Sequence, residues 1–213
     1  RERLQDADQA MTHFRAVLDY EPDHADALQA LDEILSARGN WSEVVQTKLA
    51  LAEGLQLPED RFSVLSEVGR IMAEELGDYP GAIRVFEECL ELDEAHVETW
   101  SRLETLYHSI EDWTSAQSLI ERRLELAETE TESVDLLFQL ADLALDQLDD
   151  SELARHAFER VLELDSGNTG AIEALLSLYR QLEYWSELRD LLEARLDRLD
   201  GDDHSPRKPG RLP

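Results

Sequence analysis

Residues 39–45 read GNWSEVV, residues 111–117 read EDWTSAQ and residues 183–189 read EYWSELR. Trp41, Trp113 and Trp185 are each followed by a small hydroxyl residue, and each stands 72 residues after the one before. A chemical site seldom needs three copies, so self-similarity at a fixed period is the first thing to test. Laid against itself at an offset of 72, the chain aligns without a gap from residue 1 to residue 199. Phe14 falls on Phe86 and Phe158, Leu18 on Leu90 and Leu162, Leu31 on Leu103 and Leu175, and Ala10 on Ala82 and Ala154. The Trp stretch is thus one member of a structural repeat.

Within the first period the apolar positions are 10, 14, 17, 18, then 28, 31, 34, 35, then 41, 44, 52, 55. That spacing is the stripe of a helix burying one face, and strand alternation is absent. The stripes are separated by turn-forming residues: Glu21-Pro22-Asp23, Gly39-Asn40, Leu57-Pro58-Glu59-Asp60, Gly77-Asp78-Tyr79-Pro80-Gly81, Asp149-Asp150-Ser151 and Asp165-Ser166-Gly167-Asn168. Asp, Ser and Asn there act as helix starts and Gly as a stop. The pattern predicts eleven helices, over 1–20, 23–38, 41–55, 59–76, 79–92, 95–110, 112–127, 131–148, 151–164, 167–182 and 184–199. Very short turns make successive helices antiparallel, and a helix with one apolar stripe must bury it on the pairs before and after. Ala10, Val44, Ala82, Ala116, Ala154 and Leu188 open second helices at spacings of 34, 38, 34, 38 and 34. The fold class is therefore all-α: a leading half-hairpin 1–20 and five hairpins, 23–55, 59–92, 95–127, 131–164 and 167–199, followed by a disordered tail or linker over 200–213 with three Pro in its last eight residues.

Composition limits the function classes. The 213 residues are 42% hydrophobic and 32% charged, a folding rather than a disordered balance. Asp and Glu number 49 against 20 Lys and Arg, a net charge of −29. Such a field repels phosphate backbones and anionic lipid, so no nucleic-acid and no membrane partner is expected, whereas a basic protein or peptide is compatible. No run approaches the ~18 apolar residues of a membrane helix. The start, RERLQDADQA, carries neither a Met nor a signal-peptide pattern, which leads us to expect that the natural N-terminus is missing and the segment is a fragment. Cys89 is the single cysteine, so no intrachain disulfide or thiolate cluster can form; this favours a reducing compartment, the cytoplasm, without fixing it.

Candidate chemistry is sparse. His24 and His96 lie 72 apart, each three residues after a carboxylate, Glu21 and Asp93, and a carboxylate-x-x-His spacing on one helix can bind iron. Here it spans a turn, and the third copy ends in Asn168, so these residues read as helix starts. His13, His108, His156 and His204 follow no ligand spacing. Cys89 replaces Val17 and Val161 of the same stripe and reads as a core residue. Phosphate-loop, zinc-protease, esterase and calcium-loop patterns do not occur, and the carboxylates fall on solvent faces. No catalytic, cofactor or metal residue is assigned, and the segment is read as non-enzymatic.

The run Ala10-x3-Phe14-x2-Val17-Leu18-x3-Pro22, returning as Ala82, Phe86, Cys89, Leu90 and as Ala154, Phe158, Val161, Leu162, resembles the tetratricopeptide repeat, a 34-residue helical hairpin. The whole is similar to a bacterial-type array with a double-hairpin period of 72 residues. The family's Gly in the first helix survives only at Gly69. The resemblance implies a right-handed α-α superhelix, or solenoid, in which Trp41, Trp113 and Trp185 staple their hairpins at the turn and Tyr79 takes that place in an intervening copy. It also implies a non-catalytic interaction scaffold that binds a partner segment in a concave groove lined by first helices. The implied groove residues are Asp26, Gln29 and Glu33; Ser63, Ser66 and Arg70; Glu98, Ser101, Thr105 and His108; Asp135, Phe138 and Asp142; and Glu173, Ser177 and Arg180. One subclass grips a C-terminal carboxylate with Lys and Asn, but Asn occurs only at Asn40 and Asn168 and Lys only at Lys48 and Lys208, so that ligand is disfavoured. Phe138 is the one large apolar residue on the groove line, either a partner anchor or a core residue. Two alternatives stand beside the scaffold: a regulatory or docking segment of an enzyme whose catalytic domain lies elsewhere, and an array that self-associates through its uncovered N-terminal helix.

Overall fold

The computed structural model describes residues 2–203, with side chains over 6–197. Among these residues the chain forms α1 (Glu2–Leu18), α2 (Ala25–Arg38), α3 (Trp41–Gly54), α4 (Pro58–Glu74), α5 (Tyr79–Leu92), α6 (Val97–Ser109), α7 (Trp113–Leu126), α8 (Glu130–Asp146), α9 (Ser151–Leu164), α10 (Thr169–Gln181) and α11 (Trp185–Asp203), and no strand. Each boundary lies within two residues of the predicted one except the end of α11, which continues through Asp203 into the stretch expected to be a linker; the rest of that stretch, 204–213, lies outside the described residues. None of these helices is long and apolar enough to cross a membrane.

The opening stretches owe their recurrence to the way each first helix ends. Gly39, Glu111 and Glu183 all adopt left-handed backbone, with φ of 68°, 56° and 60°. In each copy the next amide donates back six residues minus one, closing the helix: Asn40 to the Leu35 carbonyl (3.1 Å), Asp112 to Tyr107 (3.0 Å) and Tyr184 to Tyr179 (2.8 Å). This wrap satisfies carbonyls that a helix end leaves unpaired and reverses the chain in two residues. The Trp then falls at the first position of the second helix each time. Gly77 (φ 65°) and Asp149 (φ 52°), also 72 apart, take the same left-handed backbone after α4 and α8, where the next amides, of Asp78 and Asp150, donate six residues back to the Met72 (2.8 Å) and Ala144 (2.9 Å) carbonyls.

The turns between hairpins are capped from the other side. His24 Nδ1 accepts from the Ala27 amide (3.3 Å), His96 Nδ1 from the Thr99 amide (3.2 Å) and Asn168 Oδ1 from the Ala171 amide (3.1 Å). The carboxylate-x-x-His spacing is the turn itself, since the amides of His24 and His96 donate to the backbone carbonyls of Glu21 (3.1 Å) and Asp93 (3.4 Å). Both imidazoles serve as N-caps in β-region backbone.

Packing divides the chain after Asp112 into two compact units, so α6 and α7, expected to form one hairpin, fall in different units. In the first, α1 to α6 pack successively; in the second, α7 to α11 do. Small residues set the approach within hairpins: Ala82 and Ala154 are fully buried, and a Cβ on Gly69 would come within 2.7 Å of the Phe86 ring, so Phe86 of α5 lies flat against the backbone of α4. Lys48 takes the position of Phe86 one hairpin earlier and is polar where its relative is apolar. Its ammonium pairs with Asp32 of α2 (2.9 Å) and Glu67 of α4 (2.8 Å), tying three consecutive helices. The staple role expected of the Trp residues needs correction at the third copy: Trp41 and Trp113 are half-buried, but Trp185 is 61% exposed.

Candidate partner-binding surface

The first helices of the hairpins, α2, α4, α6, α8 and α10, carry the fifteen-odd residues assigned to a groove, and nearly all reach solvent. Asp26, Gln29, Glu33, Ser63, Glu98, Ser101, Thr105, His108, Asp135, Asp142, Glu173, Ser177 and Arg180 are exposed, and Ser66, Arg70 and Phe138 are half-buried. Within the first unit, Glu98, Ser101 and Thr105 come together in a cleft of about 640 Å³ between α4 and α6. Ala73 and Glu74 form the α4 wall, Arg102, Leu106 and Ser109 complete the α6 wall, and Tyr79 and Phe86 of α5 lie beneath. Asp26, Gln29 and Glu33 stand on α2 outside this cleft, and Asp135, Asp142, Glu173, Ser177 and Arg180 belong to the second unit.

Phe138 is only partly available. Its ring meets Phe158 of α9 edge-on at 5.4 Å between centroids, and it lies 3.3 Å from where a Cβ on Gly170 would stand. The side chain therefore fills the second unit's interior and shows one edge to solvent.

The charges of the cleft are arranged in a chain. Arg70 pairs with Glu74 (3.0 Å), the other oxygen of Glu74 faces Arg102 (3.5 Å), and Arg102 pairs with Glu98 (2.8 Å). The Arg102 guanidinium also stands 5.8 Å from the centre of the Phe86 ring, a cation over an aromatic face. The hydrogen bond from Arg70 holds the Glu74 carboxyl below the usual carboxylate range, and the hydrogen bond from Arg102 does the same for Glu98. Along the α6 wall, hydroxyls recur every four residues. Thr105 Oγ1 donates to the Ser101 carbonyl (2.9 Å) and Ser109 Oγ to the Thr105 carbonyl (2.7 Å), so their protons turn inward on the helix and their oxygens face out as acceptors.

Glu74, Arg102 and Ser109 were missed by the position-by-position reading. The signal that could have found them is the spacing of 70 with 74 and 98 with 102, where opposite charges one helical turn apart share a face. Cys89 is fully buried, and burial together with the Glu88 charge pushes its thiol up to about 12, so it stays protonated and inert. Among the described residues, no group of three His, Cys, Asp or Glu side chains could hold a metal ion.

Family models described as tetratricopeptide repeat match residues 99–134 and, with a second model, residues 72–96 and 134–168. No curated protein matches the chain. Similar solved structures include MamA, residues 41 to the end, from Desulfovibrio magneticus RS-1, at 19% identity over 87% of this chain and 98% of that one with a TM-score of 0.41. A tetratricopeptide repeat protein from Parabacteroides merdae ATCC 43184 follows at 17% identity, 90% and 73% coverage and a TM-score of 0.41. BtubC (BKLC) from P. vanneervenii aligns at 15% identity, 100% and 97% coverage and a TM-score of 0.40. Residues 72–168 thus carry tetratricopeptide repeats, and the described residues form an all-α array of helical hairpins of that kind.

Proposed function

We propose that the chain is a non-catalytic protein-interaction scaffold that binds an extended or helical partner segment along the exposed faces of its first helices. The observation that carries this reading is the cleft between α4 and α6, where residues from three successive helices converge around an aromatic floor. A surface built from packed helices is ordered before its partner arrives, so binding does not have to order the receptor. The partner is basic: with a net charge of −29, association with a cationic segment is fast and salt-sensitive, and association with an anionic one is opposed.

Photo-crosslinkers placed at Arg70, Ser101 and Arg180 test this, with captured peptides identified by mass spectrometry. The reading expects Lys- and Arg-rich peptides at these first-helix positions and few at second-helix positions such as Gln46 or Glu91. Capture confined to second-helix positions contradicts it. A second reading, self-association, draws support from apolar side chains left open on α1, where Val17 is 37% exposed and Tyr20 beyond its end is 90% exposed. Sedimentation across a concentration series separates the two, since a constant monomer mass removes the second reading.

A further inference from the structure

The cleft between α4 and α6 carries two carboxylates against a single guanidinium. Its carboxylates at Glu74 and Glu98 accept only, and the hydroxyls of Thr105 and Ser109 have already given their protons to their own helix. The cation facing these acceptors from within the cleft is Arg102, whose guanidinium lies over Phe86 and bonds Glu98 while reaching Glu74; the neutral hydroxyls of Ser101 and Tyr79 also line the cleft, and Arg70 holds the other oxygen of Glu74. Neither bond is buried: the side chain of Arg102 is 32% exposed and those of Glu74 and Glu98 are 50% and 65% exposed. Ion pairs in that setting contribute little and exchange readily.

We propose that Arg102 is an exchangeable occupant, and that the cleft receives an arginine side chain from a basic partner segment, which takes over the Glu74 and Glu98 carboxylates and the Phe86 face. This rests on the scaffold reading above and names the chemistry of one of its contacts. Several features favour a guanidinium over an ammonium. Two carboxylates approach from opposite walls, as a planar fork of donors requires, and an aromatic floor lies beneath, on which a guanidinium stacks. The partner's cation and Arg102 compete for the same two carboxylates, so the chain holds its own site partly closed until a better-placed guanidinium arrives.

The competition makes an unusual expectation: removing a protein side chain tightens binding. The probe is an acetylated, amidated hexapeptide alternating Arg and Gly, with Lys and Glu versions as comparisons, titrated by fluorescence anisotropy against the folded chain. Arg102→Ala and the better-matched Arg102→Gln should each tighten the Arg peptide by about 3- to 10-fold, and Glu74→Gln and Glu98→Gln should weaken it by about as much. The Lys peptide should bind more weakly than the Arg peptide and gain less from the Arg102 variants. Glu130→Gln, an exposed acid at the start of α8, controls for the general field and should change affinity little. Unchanged or weaker binding in both Arg102 variants, with melting curves showing them folded, overturns the proposal. Equal losses in Glu130→Gln and Glu98→Gln also overturn it, because the peptide then feels net charge alone. Either result leaves the scaffold reading standing, which fails separately if crosslinked partners map away from the first helices.

Discussion

At the scale of single residues, the repeat is held in register by backbone conformations that its sequence only partly advertises. Gly39 and Gly77 suit left-handed backbone, but Glu111, Asp149 and Glu183 occupy the same positions with a Cβ that this region penalises. Glu183→Gly and Asp149→Gly should each stabilise the chain by about 0.5–1 kcal/mol, read as a rise in denaturant midpoint with unchanged slope. His24→Ala should remove the cap on α2 at about 1 kcal/mol, while His24→Asn, which writes in the residue found at 168, should leave stability close to the parent. Cys89 gives a pH dependence of fixed sign. Its thiol ionises from 9.0 in the unfolded chain but only from about 12 in the fold, so the folded state keeps a proton that the unfolded state loses. The stability contributed by this group is full below pH 9 and declines as pH rises towards 12. Lys48, desolvated but held protonated by its bonds to Glu67 and Asp32, is raised as well and acts in the same direction. Cys89→Val, matching Val17 and Val161, should melt near the parent at pH 8 and increasingly above it from pH 9 to 11, as measured by circular dichroism.

At the scale of helices and hairpins, the sequence made the elements and their order legible because apolar spacing, turn residues and a gapless period all agreed. The position of Gly69 was legible as a family trait, and its physical reason is the Phe86 ring pressed against it. Other features were hidden for identifiable reasons. Arg102 has Ala30 and Ala174 as its counterparts, so the period that found the core could not find the cleft's cation. Trp185 shares the following Ser-Glu with Trp41, yet it is 61% exposed where Trp41 is half-buried, a difference the repeat register does not encode. Phe138 was ambiguous between groove and core because it sits at the border of both. Lys48 is 7% exposed, facing Asp32 and Glu67, and nothing in its local sequence marks it as buried. One oxygen of Asp32 is buried without a partner, so this carboxylate depends on Lys48. Lys48→Met should destabilise by about 3 kcal/mol, since it strands a buried charge, and adding Asp32→Leu should recover most of the loss. A double-mutant cycle by urea unfolding checks this; additive losses would show that the pair is not coupled.

At the scale of the whole molecule, a net charge of −29 on 213 residues and a set of recurring hairpins describe a chain whose stability is gathered from neighbours. Among the described residues each helix packs on the one before and the one after within its unit. In such arrays a local defect loosens its neighbours and fades with distance. Gly69→Ala supplies the defect, because the new Cβ would meet the Phe86 ring at 2.7 Å and force α4 and α5 apart. Native-state hydrogen exchange read by mass spectrometry on this variant is the most direct test. Protection should fall most in α4 and α5, less in α3 and α6, and stay at the parental level in α8 to α10. A uniform loss of protection from α2 to α10 would show a single cooperative core and contradict the account.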